Sequence, residues 1–245
     1  MCPMNPRLLR PKASGLTDPR QLASLAVWLD GSDSTTITLN GSTVSEWRDK
    51  SGNARHAAQA TAAAQPTLFT SDLNGRSTLR TNQSQHMVIP AWTYTPENTA
   101  LFVFRASSTQ QGVYQRGTLN DGPRNAVQEP AGAGPRLRTT VHGTVATQVN
   151  AEGPAFPFNT WVIGAGVVRT GSVRVYQDGV FGADATYTTQ LSGSFDMKLF
   201  ALNTSNLFSL NGGIAEFIAY DRALSDGEVT QVARYLSRKW NIAIS

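Results

Sequence analysis

Cysteine is nearly absent from the sequence: Cys2 is the single one among 245 residues. One thiol cannot form an internal disulfide, so the fold does not rely on disulfide bonds and the chain can mature in a reducing cytosol. Cys2 also lies in a proline-rich terminal segment, which argues against a cysteine nucleophile. We therefore expect neither a disulfide framework nor thiol chemistry.

Charge and long apolar runs are scarce as well. Charged residues make up 16% of the chain, the formal net charge is +4, and no block of like charges stands out. Scattered basic residues do not favour a nucleic-acid partner. No apolar run is long enough to span a bilayer, and residues 1–15 lack the apolar core of an export signal. The sequence predicts no nucleic-acid partner and no membrane association.

Short runs of β-branched and aromatic residues are abundant and recur at even spacing, with turn residues between them. This pattern is typical of a single all-β sandwich domain. The predicted strands lie at 25–30, 43–48, 67–70, 78–80, 86–89, 100–104, 113–115, 137–141, 161–168, 173–176, 195–202 and 214–220.

The stretch Gly212–Trp240 contains the strongest signals. Residues 214–220 are apolar at nearly every position, which predicts a central strand covered on both faces. Ser225 and Glu228 form a capping box, which marks the start of a helix. Apolar residues then recur at helical spacing: Val229, Val232, Ala233, Leu236 and Trp240. A short amphipathic helix is therefore predicted near the C-terminus.

Glycine and proline predict the loops. The segment 117–135 holds four glycines and three prolines, so we predict a long surface loop there, the one best suited to carry specificity. Thr170-Gly171 and Asp178-Gly179 predict two tight turns. The pair Gly164 and Gly166 lies inside a predicted strand with no helix after it, so it is a strand feature and not a phosphate-binding loop.

The N-terminal 20 residues form a separate segment, rich in proline and poor in apolar residues. It carries four basic side chains against the single acid Asp18: Arg7, Arg10, Lys12 and Arg20. One interpretation is a disordered terminus, and the other is an extended basic arm that docks on a neighbouring subunit. We divide the chain into an arm, residues 1–22, and a sandwich domain, residues 23–245.

Three motifs carry a family resemblance. The run Ile214-Ala-Glu-Phe-Ile-Ala-Tyr-Asp-Arg-Ala-Leu-Ser-Asp-Gly-Glu228 resembles the closing strand and turn of laminin G-like domains in the concanavalin A-like lectin/glucanase superfamily. Trp47–Ala57 is similar to the early Ser-Gly-Asn turn of that family, and 160–179 is similar to its central hairpin. The resemblance implies a two-sheet antiparallel jelly-roll sandwich, with a short C-terminal helix and an extended N-terminal arm in this chain.

Because the superfamily includes glycoside hydrolases, catalysis needs a test. A retaining glycosidase needs two carboxyl groups roughly 5 Å apart, which one strand can supply at alternate positions. Here Glu216 shares its face of the strand with Ile218 and Tyr220, so the second carboxyl group is missing. No Gly-x-Ser-x-Gly motif surrounds any serine. We therefore predict that the protein is not an enzyme.

Calcium is the one cofactor that the resemblance implies. Asp49, Asn53 and Glu216 match positions that look metal-linked in some family members, and Asp30 and Asp33 are spare oxygen donors. The alternative is that Asp49 and Asn53 cap their own turn through hydrogen bonds from side chain to backbone. Both interpretations fit the sequence.

Sugar binding has its own candidates. Trp92, Tyr94, Tyr114 and Arg116 combine aromatic rings with polar neighbours and are suited to stacking on sugar rings, but core packing explains them equally well.

The resemblance and the basic arm together imply a non-catalytic structural and binding protein of a phage virion, such as a capsid decoration, head fibre or tail fibre component. The expected partners are other virion proteins, sister copies of the chain and a cell-surface glycan, with assembly in the host cytoplasm. The alternatives are a bacterial carbohydrate-binding surface module and, third, a glycoside hydrolase.

Overall fold

Antiparallel strands dominate the computed structural model, which describes residues 15–117, 122–142, 148–188, 193–202 and 208–245. Eighteen strands form in these ranges. They are β1 Leu25–Asp30, β2 Ile37–Asn40, β3 Thr43–Trp47, β4 Ala57–Ala58, β5 Thr67–Leu73, β6 Arg76–Asn82, β7 Met87–Tyr94, β8 Asn98–Ala106, β9 Gln111–Arg116, β10 Arg124–Gln128, β11 Arg136–His142, β12 Gln148–Ala155, β13 Val162–Arg169, β14 Ser172–Gln177, β15 Val180–Phe181, β16 Ala185–Thr186, β17 Gly193–Leu199 and β18 Asn211–Tyr220.

The first layer is built around β18. This strand pairs with β1 and β6 along one edge and with β8 along the other, and β13 and β14 extend the layer beyond β8. Every residue of β18 after Asn211 is buried, which confirms the predicted central strand. In this register Glu216 lies opposite both Asp30 of β1 and Val103 of β8.

The second layer runs in the order β2-β3-β4-β7-β17-β9-β10-β11-β12, again with antiparallel pairing throughout. The two layers pack face to face, and β5 links them through its pairing with β3. This arrangement is the two-sheet jelly-roll sandwich that the family resemblance implied, so the predicted fold class is confirmed.

The main core lies between the two layers and contains a cluster of edge-to-face aromatic rings that includes Phe102, Phe104, Tyr114 and Phe217. Gly164 is needed for this packing, because a Cβ there would lie 2.5 Å from the Phe102 ring. Gly164 and its neighbours belong to β13, which confirms the predicted strand feature.

A second core lies between the outer face of the first layer and helix α1, Asp226–Trp240. Ser225 caps the helix, and its hydroxyl and the Glu228 carboxylate form both bonds of the predicted capping box. The five apolar residues of the predicted stripe are all buried. This helix is not long and apolar enough to cross a membrane, nor is any other in the described ranges.

The prediction of a loop over residues 117–135 is wrong for residues 124–128. Arg124–Gln128 forms β10, which pairs with β9 on one side and β11 on the other and is largely buried. The glycines and prolines that suggested a loop stand on either side of this five-residue strand and mark its two turns. Residues 118–121 lie outside the described residues.

Part of the predicted arm is described. Leu16 is buried in the second core, and its carbonyl accepts a 2.6 Å hydrogen bond from Arg238 Nη2. The Tyr220 hydroxyl donates a 3.0 Å hydrogen bond to the carbonyl of Pro19. Residues 16–19 therefore lie against the sandwich. Arg20 pairs with Asp18. The other three basic arm residues, Arg7, Arg10 and Lys12, lie outside the described residues.

Candidate functional site

Two acidic side chains lie together on the face of the first layer that helix α1 covers. Glu216 has no exposed surface and Asp30 is 3% exposed. The Lys239 ammonium bridges them, with Nζ 2.7 Å from Asp30 Oδ1 and 2.7 Å from Glu216 Oε2. Lys50 Nζ lies 2.9 Å from Asp30 Oδ2. Because Lys50 Nζ also lies 2.7 Å from Asp33 Oδ2, two ammonium groups serve three carboxylates.

Three further donors fix the Glu216 carboxylate. The indole nitrogens of Trp28 and Trp240 donate hydrogen bonds of 2.7 and 2.6 Å to Oε1 and Oε2 respectively, and the Tyr235 hydroxyl donates one of 3.1 Å to Oε1. With the Lys239 ammonium, both carboxylate oxygens are fully occupied. Buried carboxylates need such partners, because an unpaired buried charge costs several kcal/mol.

The two carboxyl groups differ in their proton affinity. Burial raises the pKa of Glu216, and the Lys239 ammonium opposes this effect without reversing it. Burial also acts to raise the pKa of Asp30, but Lys239 and Lys50 outweigh it and hold that pKa below its ordinary value. Burial beside these two acids raises the pKa of the Tyr235 hydroxyl.

The prediction that Glu216 lacks a second carboxyl group beside it is wrong, because Asp30 lies next to it. Glu216 has no carboxyl partner on its own strand, but the neighbouring strand β1 supplies one directly opposite. Because Glu216 is completely buried and hydrogen-bonded, a substrate cannot reach this pair. The cluster therefore stabilises the contact of helix with sheet.

The turn residues with predicted metal-binding roles make local hydrogen bonds. Asp49 Oδ1 accepts from the backbone nitrogens of Trp28 and Ser51, at 2.8 Å each, and Oδ2 accepts from the Ser51 hydroxyl at 2.6 Å and the Arg55 backbone nitrogen at 3.1 Å. The Asn53 amide donates 2.9 and 3.1 Å bonds to two carbonyls of β1. The bonds of Asp49 to Ser51 and Arg55 cap the turn as the alternative interpretation predicted, whereas the Asn53 bonds tie the turn to β1.

The structure brings Asp49 and Asn53 together, because both contact Ser51, but it does not bring Glu216 to them as a shared ligand set. In the described part of the chain, no group of three or more His, Cys, Asp or Glu side chains is placed to hold a metal ion. The contacts of Asp49 favour turn capping over the predicted calcium binding, and a chelation experiment distinguishes the two interpretations.

The predicted sugar-binding residues Trp92 and Arg116 do lie together, but they are buried. Arg116 is 2% exposed, and its guanidinium carbon lies 3.7 Å from the centre of the Trp92 ring. Arg55 approaches the same ring at 4.7 Å. Asp221 accepts a 3.0 Å hydrogen bond from the Trp92 indole and pairs with Arg55. Two cations therefore contact the Trp92 ring, which is only 8% exposed.

Tyr114 belongs to the main core, where its ring packs edge-to-face on Phe102 and Phe217. It is 1% exposed and has no surface for a ligand. The side chain of Tyr94 lies outside what the structure describes. Where described, the aromatic residues proposed from the sequence fill space inside the sandwich, which was the alternative explanation for them.

A surface cavity of about 390 Å³ lies elsewhere, on the outer face of the first layer where β5, β6, β8 and β18 meet. We call it the strand-end pocket. Its lining combines one aromatic ring, two guanidinium groups, four carboxamides and small polar residues: Thr67, Phe69, Arg80, Thr81, Asn82, Gln85, Arg105, Ser107, Asn159, Asn211 and Gly212. None of these residues is acidic.

Strand alternation explains how the pocket forms. Leu79 and Phe104 point into the main core, so their neighbours Arg80 and Arg105 point outward. Gly213 pairs with both arginines and stands between them in the register. Because Gly213 has no side chain, the Trp161 ring fits over it, 3.0 Å from where a Cβ would lie. Two outward-facing guanidinium groups thus flank Gly213, a position that has no side chain.

The two arginines of the strand-end pocket have different partners. Asp72 Oδ2 accepts a 2.7 Å hydrogen bond from Arg80 Nε and so holds this side chain, whose guanidinium lies 5.3 Å from the exposed ring of Phe69. Arg105 Nη2 donates a 3.3 Å hydrogen bond to Asn159 Oδ1. Burial and the charge of Arg80 lower the pKa of Arg105, with Asp72 opposing.

The sequence did not predict the strand-end pocket, because its residues come from four strands and three loops. Phe69 is 46% exposed, one of three large apolar side chains with such exposure in the described ranges. An aromatic residue at an outward position of a strand was the only signal present in the sequence. It was not distinguishable from a core residue, because the predicted strand at 67–70 was too short to show alternation.

The sandwich and its surface pocket define a lectin-like β-sandwich domain. A family model described as the concanavalin A-like lectin/glucanases superfamily, laminin G type, matches residues 75–230. This match covers more than half of the chain, and the protein belongs to that superfamily. A comparison with curated protein sequences gives no match.

Several solved structures share the fold. Domain 4 of the extracellular arabinanase AbnA from Geobacillus stearothermophilus, solved with arabinotriose, is 14% identical with a TM-score of 0.62, over 86% of this chain and 98% of that one. The Trypanosoma rangeli sialidase with sialic acid is 13% identical with a TM-score of 0.60, over 89% of this chain and 33% of that one. The binding domain of botulinum neurotoxin serotype G is 13% identical with a TM-score of 0.57, over 86% of this chain and 51% of that one.

At these identities the likeness concerns the fold alone. The chain spans about the whole of the arabinanase domain, a third of the sialidase and half of the toxin binding domain.

Proposed function

We propose that the protein is a non-catalytic carbohydrate-binding module that holds its ligand in the strand-end pocket. The observation that carries this proposal is the combination of groups in one open cavity: the exposed Phe69 ring, two guanidinium groups and four carboxamides. Sugar rings present apolar C–H faces and many hydroxyl groups, which stack on aromatic rings and exchange hydrogen bonds with planar amide and guanidinium groups. The cavity volume falls within the range of small-molecule sites.

The distribution of acids supports a role without catalysis. Glycoside hydrolysis by the usual mechanisms needs two carboxyl groups that reach the substrate. The strand-end pocket has no acidic lining residue, and the acidic pair of Asp30 and Glu216 is buried beneath helix α1. We expect no release of reducing sugar from arabinan, β-glucan or sialylated substrates. Activity that disappears in Glu216→Gln would contradict this.

Calorimetric titration tests binding. We expect one or more oligosaccharides of a panel that includes arabinotriose, lactose, sialyllactose and trigalacturonic acid to bind, and Phe69→Ala to weaken that binding by roughly tenfold through loss of ring stacking. Leu39→Ala is the matched control, because Leu39 is similarly exposed, at 50%, and does not line the pocket. Equal affinity for Phe69→Ala and the unmodified chain would refute the placement of the ligand.

We also propose that the module works as a structural component of a phage virion. The composition of the N-terminal segment, basic and proline-rich, supports attachment to a particle. Because Leu16 and Pro19 contact the sandwich, the informative deletion removes residues 1–14 and leaves these contacts intact. We expect the truncated protein to keep its melting temperature and to lose co-sedimentation with particles that lack the protein. Undiminished co-sedimentation would show that the segment is not the attachment device.

A further inference from the structure

We infer that the ligand of the strand-end pocket is a carboxylated sugar, a hexuronic or sialic acid, and that Arg105 receives its carboxylate. This inference rests on the proposed function and adds the chemical class of the ligand. It follows from the charges in the pocket, where one of the two guanidinium groups is neutralised by the protein and the other is not.

Arg80 is the neutralised group. Asp72 accepts hydrogen bonds from Nε and Nη2 of Arg80, so the two side chains form a two-point ion pair. The Thr78 hydroxyl also donates to Asp72 and helps to fix its orientation. The guanidinium plane of Arg80 then lies near two aromatic rings, 5.3 Å from the centre of Phe69 and 5.6 Å from that of Trp161. Arg80 is therefore held in place as a wall of the pocket.

Arg105 is the guanidinium group that has no ion-pair partner among the described residues. Among the described residues, no carboxylate lies within ion-pairing distance of it, and its hydrogen bond is the 3.3 Å contact with Asn159 Oδ1. A guanidinium has five N–H donors in a planar fork that matches a carboxylate. The side chain is half-buried, so its donors are partly removed from water and gain more from an anionic partner than an exposed arginine would.

The uncompensated charge favours an anion with a single negative charge. One net positive charge in the pocket matches the single negative charge of a sugar carboxylate, whereas a phosphate monoester carries close to two negative charges at neutral pH. The neighbouring carboxamides of Asn82, Asn159 and Asn211 supply neutral donors and acceptors for hydroxyl groups beside the carboxylate. Phe69 offers its exposed ring to the apolar face of the same sugar.

The test compares acidic ligands with matched neutral ones by calorimetry on the full chain. The pairs are 3′-sialyllactose with lactose, and trigalacturonic acid with its carboxyl-reduced form. We expect at least one acidic ligand to bind at least about tenfold more tightly than its neutral counterpart, and its affinity to fall with added salt. The pair that shows the preference identifies the source of the carboxylate.

Two variants show whether Arg105 causes the preference. Arg105→Gln should abolish it, and Asn159→Asp should do the same by supplying the guanidinium with an internal carboxylate at the position of Oδ1. Arg76→Gln is the matched control, because it removes one positive charge from an exposed position of β6 outside the pocket. Melting curves confirm that each variant folds.

The outcomes separate the two proposals. Equal binding of acidic and neutral ligands, or a preference that survives in Arg105→Gln, overturns the inference and leaves the carbohydrate-binding function standing. Failure of every sugar in the wider panel, neutral and acidic, overturns the proposed function and the inference with it.

Discussion

The indole nitrogen of Trp240 donates a 2.6 Å hydrogen bond to Glu216 Oε2, and this bond joins the last turn of helix α1 to the centre of β18. Neither residue has any exposed surface. Hydrogen bonds depend on direction and apolar contacts do not, so hydrogen-bonded polar groups under a helix restrict its position more narrowly. The buried charge of Glu216 therefore adds to the apolar stripe in fixing the helix on the sheet.

This arrangement predicts a large cost for removing Lys239. Lys239→Met would leave the buried carboxylates of Asp30 and Glu216 short of one cation, and we expect it to reduce the free energy of unfolding by roughly 3–5 kcal/mol. Urea denaturation of the variant and the unmodified protein measures the difference in the free energy of unfolding. Arg234→Met, at an exposed position of the same helix, is the control and should change stability by about 0.5 kcal/mol or less. Similar losses in both variants would contradict the role of the bridge.

A second prediction concerns the pH dependence of stability. Burial raises the pKa of Asp178 to about 6, while its Oδ1 accepts a 2.8 Å hydrogen bond from the Ile163 backbone nitrogen. A carboxyl group with a raised pKa in the folded state stabilises the fold below its ordinary pKa of about 4, and this contribution is lost as pH rises through about 6.

Asp178→Asn keeps the acceptor, carries no charge and tolerates the positive φ of 47° at this turn. We expect the variant to be more stable than the unmodified protein at pH 8 by about 1 kcal/mol, after allowance for partial exposure, and to lose this advantage below about pH 4. Denaturation curves at several pH values measure the difference. An advantage that does not depend on pH would contradict the assigned cause.

Trp92 should matter for stability and not for sugar binding. Trp92→Phe keeps an aromatic ring but loses the 3.0 Å hydrogen bond to Asp221, so we expect a loss of about 1–2 kcal/mol in the free energy of unfolding. The affinity of the best oligosaccharide should stay unchanged, because Trp92 does not line the strand-end pocket. Weaker sugar binding at unchanged stability would instead favour the site that the sequence suggested around Trp92 and Arg116.

Calcium removal gives a fourth prediction. A ligand that binds only the folded state raises the melting temperature, and a chelator reverses this. Because the Asp49 oxygens already accept four hydrogen bonds, we expect the same melting temperature with excess calcium and with chelator. A fall on chelation that calcium restores, and that Asp49→Asn no longer shows, would establish the metal site that the family resemblance implied.

Local patterns in the sequence were sufficient for the elements they control. The capping box of Ser225 and Glu228 lies within four residues, and the apolar run of β18 is continuous, so both could be located from the sequence. Strand β10 could not, because five residues between glycines and prolines carry too little periodicity. Its burial depends on pairing with β9 and β11.

Sites that depend on pairing between distant strands were not predictable in the same way. Asp30 and Glu216 are 186 residues apart, and only the register of β1 on β18 places them side by side. The strand-end pocket likewise needs Arg80, Gly213 and Arg105 in one row across three strands. No short motif encodes such a row, whereas the aromatic residues that were conspicuous in the sequence, Trp92 and Tyr114, are buried.

The most direct test of the central claim is an NMR titration that maps where sugar binds. The isotope-labelled protein is titrated with the tightest-binding oligosaccharide of the calorimetric panel, and shifts of backbone and side-chain amide signals are followed. We predict that the largest shifts belong to Asn82, Ser107, Asn159 and Asn211, which line the strand-end pocket. Shifts centred on the Trp92 indole signal, with these four residues unaffected, would contradict the account.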